Sequence, residues 1–273
     1  VLVGGIIFAA FTLLAVMAPV LAPYAPLAVA MHERLTPPGT AHWLGTDHLG
    51  RDVWSRLLYG ARLSLFVGSS AASVSSALGI AIGLVGGYNR RYGNVAMRAI
   101  DGLLAFPGII LALSLIAVLG SRLSNVIIAL SVVYTPRVAR VMHGVVLELR
   151  NKEYVTAAEA MGSTPSRILL QHILINAMGP IIVQGSFNFA SAIITETGLS
   201  FLGVGVPPGT PSWGSILSEG RNYMLRAPWI TLSAGGAIFL AVMALNLLGD
   251  GLRDVFDPRL HGVTNLSRQA PTS

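Results

Sequence analysis

The stretch Glu148–Pro180, ELRNKEYVTAAEAMGSTPSRILLQHILINAMGP, decides how the rest of the chain is read. It lies between two apolar stretches, roughly Val126–Met142 and Ile173–Thr197, and reads as two short helices joined by an elbow. Tyr154–Met161 is rich in alanine, the strongest helix former. Gly162 is a natural stop, because glycine enters the left-handed conformation that ends many helices at no steric cost. Ser163 or Thr164 can cap the next helix, and Pro165 suits its first turn. That helix then runs through Arg167, Leu170 and His172 into the following apolar stretch. An elbow of this shape either docks into a groove on another protein or serves as a plain amphipathic connector.

Outward from the elbow the chain is strongly apolar. Of 273 residues 53% are hydrophobic and 11% charged. Soluble domains carry about twice that charge. The mean hydropathy is +0.67. Six apolar stretches stand out: Leu2–Leu21, Leu63–Tyr88, Ala99–Gly120, Val126–Met142, Ile173–Thr197 and Ile230–Leu248. Each approaches the ~20 residues needed to cross a bilayer. The expected fold is all-α and integral to the membrane, with six transmembrane helices and no sizeable soluble domain. Three regions are expected: 1–62, the first helix plus an outer segment; 63–250, a five-helix core with the elbow near 148–175; and 251–273, a tail. The chain starts at Val1, from which we expect a trimmed leader. The first stretch lacks a small-residue cleavage pattern and is expected to be a helix, not a signal peptide.

Arginine sets the orientation. Arg90, Arg91 and Arg98 follow the second stretch; Arg137, Arg140, Arg150, Lys152 and Arg167 follow the fourth; Arg253, Arg259 and Arg268 lie in the tail. By the positive-inside rule these loops and both termini are cytoplasmic. The outer segment Ala22–Arg62, with four Arg mixed with acids, runs against the bias. The net charge of +6 comes without a clustered basic face, which argues against nucleic acid. With no cysteine there are no disulfides, thiolate metal sites or cysteine nucleophiles. The six His show no metal-ligand spacing, so no metal site is expected. The phosphate loop G-x4-G-K-[ST] is absent, so ATP cannot be cradled by this chain.

Several positions carry candidate roles. Gly79, Gly83 and Gly87 form two small-xxx-small steps that allow close helix approach; this face either packs or lines a pathway. Gln184, Asn188, Ser191 and Thr195 fall within about 60° of one helix face and either line a translocation path or bond a neighbouring helix. Arg51–Arg62 is expected to be an amphipathic helix on the outer membrane face, with Asp52 and Arg56 paired at i,i+4. It either braces the interface or contacts a partner. Glu196 is expected near the outer interface, as a functional acid or in a pair with Arg221. Asp101 is expected to pair with Arg98, and Phe106-Pro107 to bend the third span.

Thr156-Ala157-Ala158-x3-Gly162 followed by His172-Ile173-Leu174-Ile175-Asn176 resembles the E-A-A-x3-G-x9-I-x-L-P loop of binding-protein-dependent ABC importer permeases. Thr156 stands where Glu is usual and Ile175 where Pro is usual. The first substitution puts one charged contact to an ATPase in doubt; the second implies a straighter path into the fifth span. Gly45-Thr46-Asp47-x-Leu49-Gly50-Arg51-Asp52-x2-Ser55-Arg56, Thr195-Glu196-Thr197-Gly198-Leu199-Ser200-Phe201-Leu202-Gly203, Pro211-Ser212-Trp213-Gly214 and Asn246-Leu247-x-Gly249-Asp250 through Asp257-Pro258 resemble signatures of the C-type permeases for dipeptides, oligopeptides and nickel. The resemblance implies an inner or plasma membrane permease of a prokaryote, a non-catalytic half of the pathway for short peptides. Its implied partners are a second homologous permease, two cytoplasmic ATPase domains that hold ATP and Mg, an extracytoplasmic solute-binding protein and membrane lipid. It implies that Thr156, Ala157, Ala158, Gly162, Ser163 and Pro165 couple to the ATPase. It further implies that Asp47, Arg51, Asp52, Arg56, Glu196 and Trp213 form an outer gate or contact the binding protein. Nickel or another small solute is the alternative cargo. An ion-coupled secondary transporter is the rival class, though no clear internal repeat supports it.

Overall fold

The computed structural model describes residues 1–207 and 209–256. The tail signature at Asp257-Pro258 and the tail arginines Arg259 and Arg268 lie outside the described residues. In chain order the helices are α1 Leu2–Val16, α2 Ala18–Leu21, α3 Val53–Tyr88, α4 Arg90–Leu104, α5 Gly108–Leu119, α6 Leu123–Leu149, α7 Glu153–Ala160, α8 Pro165–Arg167, α9 Leu174–Phe201, α10 Trp213–Arg221 and α11 Pro228–Phe256. No strand forms among the described residues beyond the isolated bridge Thr46–Asp52. A π-helical stretch, Ile168–Ile173, fuses α8 to α9.

Four helices are long and apolar enough to cross a membrane: α3, α6, the fused α8–α9 and α11. The glycines of α3 decide how they pack. A methyl added to Gly79, Gly83 or Gly87 would lie 2.4, 2.5 or 2.5 Å from the Cβ atoms of Val138, Met142 and Val146. Each contact joins residues 59 apart, so α3 and α6 run parallel at one constant register. Only glycine lets the two backbones approach this closely. Parallel packing also settles the role of α4 and α5. They bend by 92° at the break between them, and together must carry the chain back to the far end before α6 begins. The bent pair counts as a fifth apolar span only if its two helices are taken together. Pro107 lacks the N–H a continuous helix needs and drives Phe106 out of helical geometry. The bend expected at Phe106-Pro107 is present, as a 92° break between α4 and α5.

A further expectation is corrected. Arg51–Arg62 is not a separate interfacial helix: Asp52 caps α3, accepting from Ser55 N at 2.7 Å, and the helix runs on for 36 residues. The fourth stretch, Val126–Met142, lies within α6, which continues through Pro136 to Leu149. Helices between apolar neighbours tolerate an internal proline when nearby groups re-satisfy the backbone. α9 runs antiparallel to α3, with Gly68 against Phe189 and Ile193, and antiparallel to α11, with Gly179 against Phe256 and Gly249 against Ser186. α1 lies along α11, Gly4 against Ala244 and Leu248, and Phe11 reaches Trp213 edge-on at 5.9 Å. Val1, Phe256 and α7 therefore share one end of the bundle; Trp213 and α10 mark the other.

Candidate functional site

The elbow forms as the sequence predicts. α7 ends at Gly162 with φ +79°. Ser163 N bonds Ala158 O at 3.0 Å and Gly162 N bonds Glu159 O at 2.9 Å. This 6→1 and 5→2 pair is the Schellman stop. Thr164 occupies the next cap position without a side-chain cap bond, and neither it nor Ser163 caps as expected; Pro165 alone sets the first turn. Ile175, which stands where the family pattern usually has proline, lies inside α9, just after the π-helical stretch. The short helix is tied to the bundle at few points: Tyr88 Oη donates to Glu159 at 3.4 Å, and Val155 and Ala158 are buried. Ala158 thus faces its own chain. The surface left for a partner is Tyr154, Thr156, Ala157, Ala160 and Met161, the last 80% exposed.

The polar stripe of α9 is partly spent on its neighbours. Gln184 Nε2 donates to Asn188 Oδ1 at 2.9 Å. Tyr134 on α6 bonds Ser191 O at 2.8 Å and Thr195 Oγ1 at 2.7 Å. Asn188 is fully buried, and its Nδ2 has no hydrogen-bond partner among the described residues. Gln184 and Ser191 are half-buried. Gln184 opens into a cleft of about 510 Å³ at the end that holds Phe256, shared with Phe187 and Arg253. A second cleft of about 470 Å³ lies along α11 past Asn246 and Asp250 to Ile194. Asn246, Asp250 and Arg253 recur at helical spacing along α11, so each of the two mostly apolar clefts carries polar side chains. Sequence reading noted Asn246 and Asp250 only within a signature; their i,i+4,i+7 spacing with Arg253 was the missed signal.

The end marked by Trp213 and α10 is closed by charge. Asp47, fully buried, accepts from Leu49 N at 2.8 Å, Arg51 N at 3.0 Å, Arg51 Nε at 2.6 Å and Arg56 Nη1. Glu219 on α10 accepts from Arg51 Nη2 and, at 2.7 and 3.0 Å, from both Arg56 amino nitrogens. Arg56 therefore pairs with Asp47 and Glu219, not with Asp52. Asp52 instead accepts from His42 Nδ1 at 2.8 Å, while His42 Nε2 faces Glu33 at 3.2 Å. Burial opposes charge on His42, but the bonds to Asp52 and Glu33 outweigh it and raise its pKa above the ordinary 6.5. Burial likewise pushes Asp47 up, but the Arg56 charge, the Arg51 N–H and charge, and the Leu49 N–H outweigh it and hold the carboxyl below 3.8. Asp47, His48 and Glu219 do converge within 4.8 Å, a grouping that linear spacing hid. Their carboxylates already face two guanidinium groups, which opposes a cation there.

Glu196 does not pair with Arg221. It is fully buried and accepts from Ser64 Oγ at 3.1 Å and Ser200 Oγ at 2.7 Å. Arg221 instead stacks over Phe201 at 5.2 Å. Trp213 is fully buried, donating Nε1 to Leu57 O at 3.2 Å. Asp101 pairs with Arg140 on α6 and not with Arg98. Asp47, Arg51, Asp52, Arg56, Glu196 and Trp213 are all under 10% exposed, so none offers a surface to a partner in this conformation. The first four and Trp213 tie α10 and the segment before α3 onto α3, and Glu196 ties α9 to it. Glu219, Glu33, His42 and Tyr134 were missed, because each meets its partners only across long sequence separations or from an unpatterned segment.

The chain is similar to several known proteins. The chain is 48% identical over 91% of its length, and 85% of the relative's, to a putative peptide transport system permease protein of Brucella suis. It is 41% identical over 95% of its length, and 86% of the relative's, to the dipeptide transport system permease protein DppC of Alkalihalophilus pseudofirmus. It is 43% identical over 82% of its length, and 74% of the relative's, to the glutathione transport system permease protein GsiD of Pectobacterium atrosepticum. In fold it is similar to a chain of the inward-facing MetNI methionine ABC transporter, with a TM-score of 0.55 at 18% identity over 71% of this chain and 94% of that one. Residues 78–262 match the profile of the binding-protein-dependent transport system inner membrane components. With the parallel glycine-packed pair, the elbow and this match over more than half its length, the chain belongs to that family of membrane permeases.

Proposed function

We propose that this protein is the permease subunit of an ATP-driven importer and forms one half of the translocation pathway for short peptides. The carrying observation is the pair of open clefts between α9 and α11, one holding Gln184 and Arg253 and the other Asn246 and Asp250. Polar groups in a bilayer face protein or water, not lipid. Open clefts of this kind call for a second, homologous permease to complete them. The similarity to peptide, dipeptide and glutathione permeases supports peptides as cargo.

In this reading α1 with α2 is the sixth span, since it runs beside α11 over the same thickness. The end carrying Val1, Phe256 and α7 is cytoplasmic, in the inner or plasma membrane of a prokaryote. Residues 1–62, 63–250 and 251–273 are the first span with its outer segment, the core and the tail. ATP and Mg are held by two partner ATPase domains; this chain binds neither and catalyses nothing. Tyr154, Thr156, Ala157 and Met161 seat in an ATPase groove, and Gly162, Ser163 and Pro165 turn the chain so that α8–α9 moves with α7. Gln184, Asn188, Ser191 and Thr195 lie on the helix so moved. Asp47, Arg51, Asp52, Arg56, Glu196 and Trp213 hold the outer gate against which a loaded binding protein works.

The test is uptake of a labelled dipeptide into vesicles holding the full complex, with binding protein outside and ATP within. Uptake that requires ATP and survives collapse of the proton gradient is expected. Uptake driven by the gradient alone would point to an ion-coupled transporter, and ATP-dependent uptake of another solute but no peptide would overturn the cargo.

A further inference from the structure

The transport reading leaves α4 without a role beyond connection, yet its surface is sharply divided. Gly93 and Ile100 are buried against α3 and α6. Beside that strip, Tyr92 and Val95 are 66% and 71% exposed. Next around the axis come Arg91 and Arg98, which lie about 20° apart at 100° per residue and are both exposed. Asn94 and Asp101 complete the far side.

The level of the helix is also set. Gly93 rests on Gly86 near the end of α3, where a methyl would lie 2.0 Å from Gly86 O. Asp101 pairs with Arg140 of α6. α3 carries no charge from Leu63 to Tyr88, and α6 none from Leu123 to Pro136. α4 therefore lies where the uncharged segments of both partners end, and the 92° bend sets it across the line of α5. The exposed Phe106, Ile109 and Ile110 extend its apolar strip toward the membrane interior.

The order protein contact, apolar strip, arginines, polar strip matches the gradient from acyl chains through headgroups to water on one leaflet. We propose that α4 lies in the membrane–water interface and holds acidic phospholipid headgroups on Arg91 and Arg98. Guanidinium groups form paired, charge-assisted hydrogen bonds to phosphate oxygens. An apolar strip between the arginines and the protein core suits acyl chains better than a protein groove, which would leave the arginines on its rim. The inference goes beyond the peptide reading and does not depend on the cargo.

The experiment uses the assembled complex in nanodiscs of phosphatidylcholine alone or mixed equally with phosphatidylglycerol. Native mass spectrometry counts the phosphatidylglycerol retained on release. A spin label on Val95→Cys, in a chain otherwise free of cysteine, reports whether the strip meets oxygen dissolved in lipid. The double variant Arg91→Gln with Arg98→Gln is expected to lose retained phosphatidylglycerol on the order of tenfold, the Lys pair to keep most of it, and the label to sit in lipid. Unchanged retention in the Gln pair overturns the proposal. So does a Val95 label shielded from oxygen in the complex but not in the isolated chain, which would make the face a contact for a partner protein.

Discussion

The two ends of the bundle are built differently. At the end marked by α10, Asp47, Arg51, Arg56 and the partly exposed Glu219 form a cluster of ion pairs that joins the segment before α3, α3 and α10. At the other end, α7 hangs from the bundle by one Tyr88–Glu159 bond and two buried side chains, with Met161 left in the open. The first end is tied by many contacts within this chain, the second by few. Stability should therefore reside in the first and coupling in the second, so substitutions at the two ends should separate unfolding from transport.

The largest effect is expected at Arg56. Arg56→Ala removes a 2%-exposed cation from between two carboxylates. Breaking a buried pair on one side costs about 3–5 kcal/mol, with Arg51 left to soften it toward the lower figure. Thermal unfolding of the purified complex should show a large loss; an unchanged midpoint would mean the cluster is not what holds that end. The glycine seam comes next. Gly83→Leu forces a side chain into Met142 and the Ala139 backbone, and overpacking of this kind costs about 1–3 kcal/mol or separates the helices. Yield of folded complex after detergent extraction measures it.

Gly162→Val should act in the opposite sense. No heavy atom lies within 4 Å of an added Cβ, so the cost is the positive φ alone, about 1–2 kcal/mol and local to the elbow. Unfolding should change little while peptide uptake and stimulation of ATP hydrolysis by loaded binding protein collapse. Retained uptake would reduce the elbow to a connector. The smallest effect is a pH dependence. The folded pKa of His42 is raised, so its bonds to Asp52 and Glu33 stabilise the α10 end fully below the unfolded value of about 6.5 and are lost as pH rises through the folded value. Asp47 has the opposite sign: its contribution is present above about 3.8 and lost as pH falls through its lowered value. His42→Gln should flatten the alkaline side of the stability profile and leave the acid side unchanged.

Much of this molecule was legible in one dimension. Helix hydrogen bonds close over four residues, so the Gly162 stop, Pro165 and the apolar stretches announce themselves locally, and the GxxxGxxxG run of α3 marks a close contact whatever its partner. Composition alone identifies the solvent as lipid. The sequence could not show which helix meets that run, because the parallel register of α3 and α6 is chosen by the packing of many side chains at once. Nor could it show that the third span breaks outright, or that Asp101 and Glu196 pass over the nearest arginines. The ion-pair cluster depends on tertiary structure most of all: Glu219 meets Arg56 across 163 residues. Coulomb attraction depends on distance in space and burial, and neither exists until the helices have packed.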